Sequence, residues 1–239
     1  MTMLVDSFER KIDYLRISVT DRCNLRCVYC MPPEGIDLTE SGNILRYEEF
    51  RRIARIAAAH GVSKIRITGG EPLVRKGIIE FLASLSEIPG IEDLSLTPNG
   101  VLLKGYAQRL KDAGLTRVNV SLDSLSRPRF EAITRHDILD KVLQGIEKAR
   151  EEGLNPVKIN MVVLRGLNDD EVVDFAGRTI SDGWNVRFIE LMPLNNDGIS
   201  ANHLVPVGEI WQRLESLGPL EAVQGEIGNG PARYFRFPG

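Results

Sequence analysis

The chain has 239 residues, 43% hydrophobic and 26% charged, which suits one large α/β domain or two small ones of ordinary soluble composition. Its formal net charge of -3 gives no bulk attraction to nucleic acid, so any anion site must be a local cluster of cations. No apolar run reaches bilayer-spanning length, and residues 1–10 carry Asp6 and Glu9 instead of a secretory apolar stretch. A cytoplasmic protein with neither nucleic acid nor membrane as partner is expected.

The first predicted strand is Tyr14–Thr20, and the connection that follows it is the longest in the chain. Phe50, Ile53 and Ala57 share one face of a helix that His60–Gly61 should close. Strands are predicted at Lys64–Thr68, Asp93–Thr97 and Arg117–Leu122. Val142, Leu143, Ile146 and Ala149 mark a further helix ahead of Gly153, and Val157–Val163 is the fifth strand. Asn168 is the expected N-cap of a helix carrying Val172, Phe175 and Ala176, with Gly183 at its end. Val186–Leu191 closes the series. Strands alternating with helices imply βαβ crossovers and a parallel sheet.

These strands alternate in polarity, whereas parallel strands covered on both faces should be almost continuously apolar. Arg16, Ser18 and Thr20 oppose Leu15, Ile17 and Val19; Lys64, Arg66 and Thr68 oppose Ile65 and Ile67. Ser95 and Thr97, Asn119 and Ser121, Lys158 and Asn160, and Arg187 continue the polar face on the other four. A closed barrel fills its interior with branched apolar side chains. A polar interior implies a parallel (β/α)6 barrel left partly open around a ligand. The competing reading is an antiparallel sheet with one wet face. Arg16, Arg66 and Lys158, on three strands, suit an anionic ligand with several charges; alternatively each pairs with a carboxylate.

Directly after the first strand comes Thr20-Asp21-Arg22-Cys23-Asn24-Leu25-Arg26-Cys27-Val28-Tyr29-Cys30, which holds all three cysteines. Three thiolates spaced C-x₃-C-x₂-C can bind three irons of a four-iron cubane and leave the fourth open to an outside ligand. The alternative is a Cys₃His zinc site completed by His60, His136 or His203, none of which stands at customary zinc-ligand spacing. One βα unit later, at the end of the second strand, lies Thr68-Gly69-Gly70-Glu71-Pro72. Its glycines let the backbone approach a ligand closely.

The cysteine loop resembles the radical S-adenosylmethionine (SAM) signature, and Gly-Gly-Glu-Pro resembles the motif that holds the amino group of SAM. The match narrows to the MoaA family of GTP 3′,8-cyclases through Lys11–Thr20, Met31-Pro32, Ile65–Leu73, Asn119–Asp123 and Arg187–Pro193. This resemblance implies a [4Fe–4S] cluster on Cys23, Cys27 and Cys30. It implies contacts to SAM from Tyr29, Gly70, Ser121 and Met192, and contacts to GTP from Arg16, Arg66, Thr97 and Lys158. It further implies a lyase that generates a 5′-deoxyadenosyl radical and converts GTP to 3′,8-cyclo-7,8-dihydro-GTP in molybdenum cofactor biosynthesis. A reducing electron donor is an expected partner, and a homodimer is an open option. No residue is assigned as a catalytic acid, base or nucleophile.

The family's second cluster, built on another Cys-x₂-Cys and a more distant cysteine, has no counterpart after Cys30, and Pro98 replaces the usual threonine. Residues 1–220 are expected to form the radical SAM core and 221–239 the start of a carboxyl-terminal region. One cluster and SAM are expected to bind, with GTP cyclisation incomplete. Two other readings stand beside this one: a radical SAM enzyme acting on a peptide or another small molecule, and a non-catalytic iron–sulfur or zinc-binding fragment.

Overall fold

The computed structural model describes residues 4–192, 199–223 and 232–238. Pro193, Gly230, Pro231 and Gly239, which belong to stretches quoted above or to the expected carboxyl-terminal region, lie outside them. Six strands make one sheet in the order β1-β2-β3-β4-β5-β6. They are β1 (Tyr14–Ser18), β2 (Lys64–Thr68), β3 (Asp93–Leu96), β4 (Arg117–Ser121), β5 (Lys158–Val163) and β6 (Asn185–Glu190). The pairs β1–β2, β2–β3, β3–β4 and β5–β6 are parallel. The fold is an open parallel (β/α)6 sheet rather than a closed barrel, and the antiparallel alternative is overturned: helices separate the strands and return the chain to start each one in the same direction.

The chain divides into two compact units. One comprises Met1–Asn24, Asp37–Val120 and Asp140–Val157. Its strands bury Ile17, Ile65, Ile67, Leu94, Leu96, Val118 and Val120. Helices α1 (Tyr47–Ala59), α2 (Ile78–Ser86) and α3 (Leu103–Asp112) contribute Phe50, Phe81, Leu82, Leu85 and Leu110 to its core. Tyr47 stacks on Phe81 with ring centroids 4.5 Å apart. The predicted face of α1 is corrected by one position: Phe50 and Ala54 are buried while Ile53 is exposed. Ala54 lies one full turn from Phe50 and keeps to its stripe, whereas Ile53 sits off it.

The other unit comprises Leu25–Ile36, Ser121–Leu139 and Lys158–Gly239. Helix α4 (Arg127–Thr134) buries Phe130 and Ile133. Helix α5 (Leu139–Glu151) starts here and runs on in the first unit, where Val142, Ile146 and Ala149 are buried as predicted. Helices α6 (Val172–Ser181) and α7 (Val207–Leu214) follow, and β7 (Glu221–Ala222) pairs antiparallel with β8 (Phe235–Arg236). Val172, Phe175 and Ala176 are buried on α6, and Gly183 follows that helix at φ 66°. Asn168 does not cap it. A 3₁₀ turn at Asp169–Glu171 intervenes, and the Asn168 side chain is spent elsewhere. No helix among the described residues is long and apolar enough to cross a membrane.

Candidate radical SAM site

In the first unit the strands put Arg16 opposite Arg66, and Arg66 opposite Ser95, in register. Arg16 is exposed, Arg66 is half-buried with its guanidinium 5.3 Å from the Tyr14 ring centroid, and Ser95 is fully buried. Thr97, half-buried, donates its backbone N–H to Ile67 O at 2.9 Å. The polar face therefore exists as predicted, and part of it is not wet. Asn119 is fully buried on it, its Nδ2 reaches Leu96 O at 3.4 Å, and its Oδ1 has no hydrogen-bond partner among the described residues. An orphaned buried acceptor is costly and fits a donor on a bound molecule. Arg117 and Lys64, by contrast, are neutralised, by Asp93 at 2.5 Å and by Asp13 at 2.8 Å.

The same unit explains the Gly-Gly-Glu-Pro turn. Gly70 N donates to Thr20 O at 2.6 Å and Glu71 N to Arg22 O at 2.7 Å. A Cβ on Gly69 would lie 2.6 Å from Thr20 O. One on Gly70 would lie 2.7 Å from Asp21 O and also collide with Arg22 O. The glycines are required because the backbone leading into Cys23 runs against them. Glu71 is buried, yet its oxygens accept from Leu73 N at 3.0 Å and from Asn99 N at 2.6 Å. Burial raises its pKa to about 7, against those two hydrogen bonds, which lower it. Asn99 Nδ2 in turn lies 2.7 Å from Asn24 Oδ1 and 3.8 Å from Cys23 Sγ.

In the second unit, Cys27 and Cys30 sit on a tight turn closed by Cys30 N and Met31 N donating to Cys27 O at 2.9 and 3.1 Å. The turn is fastened to the carboxyl end of α4. Arg26 N donates to Thr134 O at 3.1 Å and Val28 N to Ile133 O at 2.9 Å, which satisfies carbonyls the helix leaves unpaired. Arg135, next in the chain, adopts a left-handed conformation at φ 61° and donates to Arg26 O at 2.6 Å and Met31 O at 2.9 Å. A non-glycine residue is held there only when its surroundings over-determine it. Sequence reasoning missed Arg135, since nothing near it in the chain announces a partner more than a hundred residues away.

Tyr29 donates its hydroxyl to Asp123 Oδ2 at 2.6 Å, and Asp123 Oδ1 accepts from Val162 N at 2.9 Å. Burial and the neighbouring carboxylate and thiols push the Tyr29 phenol well above its usual range, and burial raises Asp123 to about 6. Asn168 serves this corner. Its amide donates to Asp123 O at 2.7 Å and Val162 O at 2.9 Å and accepts from Leu164 N at 2.7 Å. Ser121 is half-buried at the end of β4 and Met192 is exposed. Lys158, only 1% exposed, donates to the Tyr234 hydroxyl at 3.2 Å, and the Arg187 guanidinium donates to the same oxygen. Burial pushes Tyr234 up, but the hydrogen bonds from Arg187 and Lys158 outweigh it and hold the phenol below its usual value.

None of the three cysteines is in a disulfide; Cys23 and Cys27 are half-buried and Cys30 is exposed. Among the described residues, no three His, Cys, Asp or Glu side chains, the three cysteines included, are gathered as metal ligands. His203 Nδ1 instead accepts from Ser200 N at 3.2 Å.

Residues 17–178 match the radical SAM superfamily. The chain is 52% identical over 233 residues to a GTP 3′,8-cyclase of Pelotomaculum thermopropionicum, covering 97% of this chain and 72% of that protein. It is 53% identical over 236 residues to one of Geobacter sulfurreducens, covering 99% and 72%. The chain belongs to the GTP 3′,8-cyclase family of radical SAM enzymes. The fold agrees with solved structures of low identity. Native anSMEcpe with bound AdoMet gives a TM-score of 0.66 at 19% identity, covering 85% of this chain and 59% of that one. TYW1 with a lysine-pyruvate adduct gives 0.64 at 13%, covering 90% and 76%. A radical SAM enzyme uses a [4Fe–4S] cluster and SAM. The residues present fit that pair: three soft thiols on one short segment, and two glycines whose bare Cα atoms admit the backbone leading into it.

Proposed function

We propose that the chain binds one [4Fe–4S] cluster through Cys23, Cys27 and Cys30, binds SAM, and holds GTP, the substrate that the family converts to 3′,8-cyclo-7,8-dihydro-GTP in molybdenum cofactor biosynthesis. When bound, the cluster supplies the electron that cleaves SAM to a 5′-deoxyadenosyl radical, and a reducing donor must replace that electron. Tyr29, Gly70, Ser121 and Met192 are the residues we assign to SAM, and Arg16, Arg66, Thr97 and Lys158 those we assign to GTP. Residues 1–220 form the core in this reading, and a carboxyl-terminal region starts at 221, where the chain enters the β7–β8 pair.

The observation that carries the GTP assignment is the register of Arg16 against Arg66 on adjacent strands. Like charges directly opposite one another destabilise a sheet, and an anion lying over both turns that repulsion into two charge-assisted hydrogen bonds. Lys158, assigned to GTP by resemblance, is buried on β5 of the other unit.

Anaerobic titration of the reconstituted chain with GTP tests this. Arg16→Ala, Arg66→Ala and Lys158→Ala should each weaken GTP by about 1.5–3 kcal/mol, roughly ten- to a hundred-fold, with iron content unchanged. Unaltered affinity in all three variants would overturn the triphosphate assignment.

A further inference from the structure

Asn99 stands on the loop after β3 and is held from three directions. Its backbone N–H is given to Glu71, its Oδ1 accepts from Val101 N at 3.1 Å, and its Nδ2 faces Asn24 Oδ1 and Cys23 Sγ. The Val101 contact is an Asx-type turn, which fixes the amide so that the NH₂ end points at the sulfur. An amide nitrogen has two hydrogens, so the 2.7 Å bond to Asn24 Oδ1 leaves one for the sulfur at 3.8 Å. Asn99 is 8% exposed, and in such surroundings a hydrogen bond is electrostatically stronger than in water.

We propose that Asn99 is a positioning residue that tunes the cluster by donating an N–H···S hydrogen bond to the Cys23 thiolate. The proposal rests on the reading of Cys23 as a cluster ligand. Adding an electron makes a cluster more negative, and a donor on a ligating sulfur stabilises that added charge. Hydrogen bonds to the sulfurs are among the settings that fix iron–sulfur potentials, and residues behind the ligands tune them. Asn99 therefore raises the potential and eases reduction by the donor. The same residue ties Glu71 of the Gly-Gly-Glu-Pro turn to the cysteine segment, its backbone N–H holding the turn and its side-chain amide facing the sulfur.

The experiment is a reductive titration of the reconstituted full chain, followed by the electron paramagnetic resonance of the reduced cluster, with iron stoichiometry measured alongside. Asn99→Ser keeps an oxygen for Val101 N and removes the amide donor. It should retain iron while the reduced-to-oxidised ratio at fixed poise falls about tenfold, about 59 mV for one electron. Asn99→Ala should fall in the same direction. Asn24→Ala leaves the amide to the sulfur alone, and its midpoint should hold or rise. A wild type without a four-iron cluster would instead overturn the cluster reading itself. With that cluster present, an unchanged midpoint in Asn99→Ser, an equal fall in Asn24→Ala, or loss of iron from both Asn99 variants would each overturn the tuning role alone.

Discussion

Cys23 is supported by residues that belong to two successive βα turns of the same unit, Gly69–Glu71 and Asn99, whereas Cys27 and Cys30 are supported by Asp123 and Arg135 of the second unit. The first support is mostly backbone. Gly70 and Glu71 bond carbonyls of the incoming strand extension, and side-chain bulk is excluded at both glycines. The second is mostly side chain: a guanidinium on two carbonyls and a phenol on a carboxylate, added to two helix-end carbonyls. Backbone support demands particular residues at fixed spacing and so leaves a motif. Side-chain support can be supplied from any position that the fold brings near, and leaves none.

That contrast can be broken most severely at Gly70. Gly70→Ala drives a methyl into the carbonyls of Asp21 and Arg22. Backbone on both sides makes retreat expensive, on the order of 1–3 kcal/mol or more. We expect the reconstituted variant to lose most of its iron and its 5′-deoxyadenosine formation. Iron retained at the wild-type stoichiometry would mean that the close approach is dispensable.

A smaller loss is expected at Arg135. Arg135→Gly keeps the left-handed backbone, since glycine occupies φ near 61° without strain, and removes only the guanidinium. Losing hydrogen bonds from a charged donor costs about 1.5–3 kcal/mol, so the variant should need more iron to fill and release it faster to a chelator. Arg135→Ala should be worse, because the strain then remains without its compensation. Equal behaviour of the two would show that the backbone conformation carries no cost.

The smallest effect concerns the first support and leaves the cluster ligands untouched. The folded pKa of Glu71, about 7, lies above its unfolded value of 4.5. Between those values the folded chain holds a proton that the unfolded chain has lost, so this group's contribution to stability falls as pH rises from about 4.5 to 7. Denaturation of the metal-free chain across that window should show the decline, and Glu71→Gln should lack that component. Parallel pH profiles would mean that Glu71 is ionised throughout, held so by Leu73 N and Asn99 N.

Much of the frame was legible in the sequence. β-rich runs located all six strands to within two residues at each end, and alternation along most of them marked a polar and an apolar face. The helix starting at Val172 was legible from its apolar stripe, but its cap was not: Asn168 has the right chemistry for an N-cap and spends it on Asp123, Val162 and Leu164 instead. Ile53 was misplaced because a stripe read from three residues leaves a helix free to turn by one position. Arg135 and Asp123 were silent as supports of the cysteine turn, and Tyr234 was silent as the shared acceptor of Lys158 and Arg187.

The amino-acid order by itself determined the three thiols on one segment, the glycine turn one βα unit later and the alternating strands, since spacing along the chain is enough to state each of them. Only the tertiary structure decided that Arg16 faces Arg66 and that Asn99 points its amide at Cys23. Register and side-chain direction depend on which strands pair and on what else is buried beside them, and no local pattern carries that information.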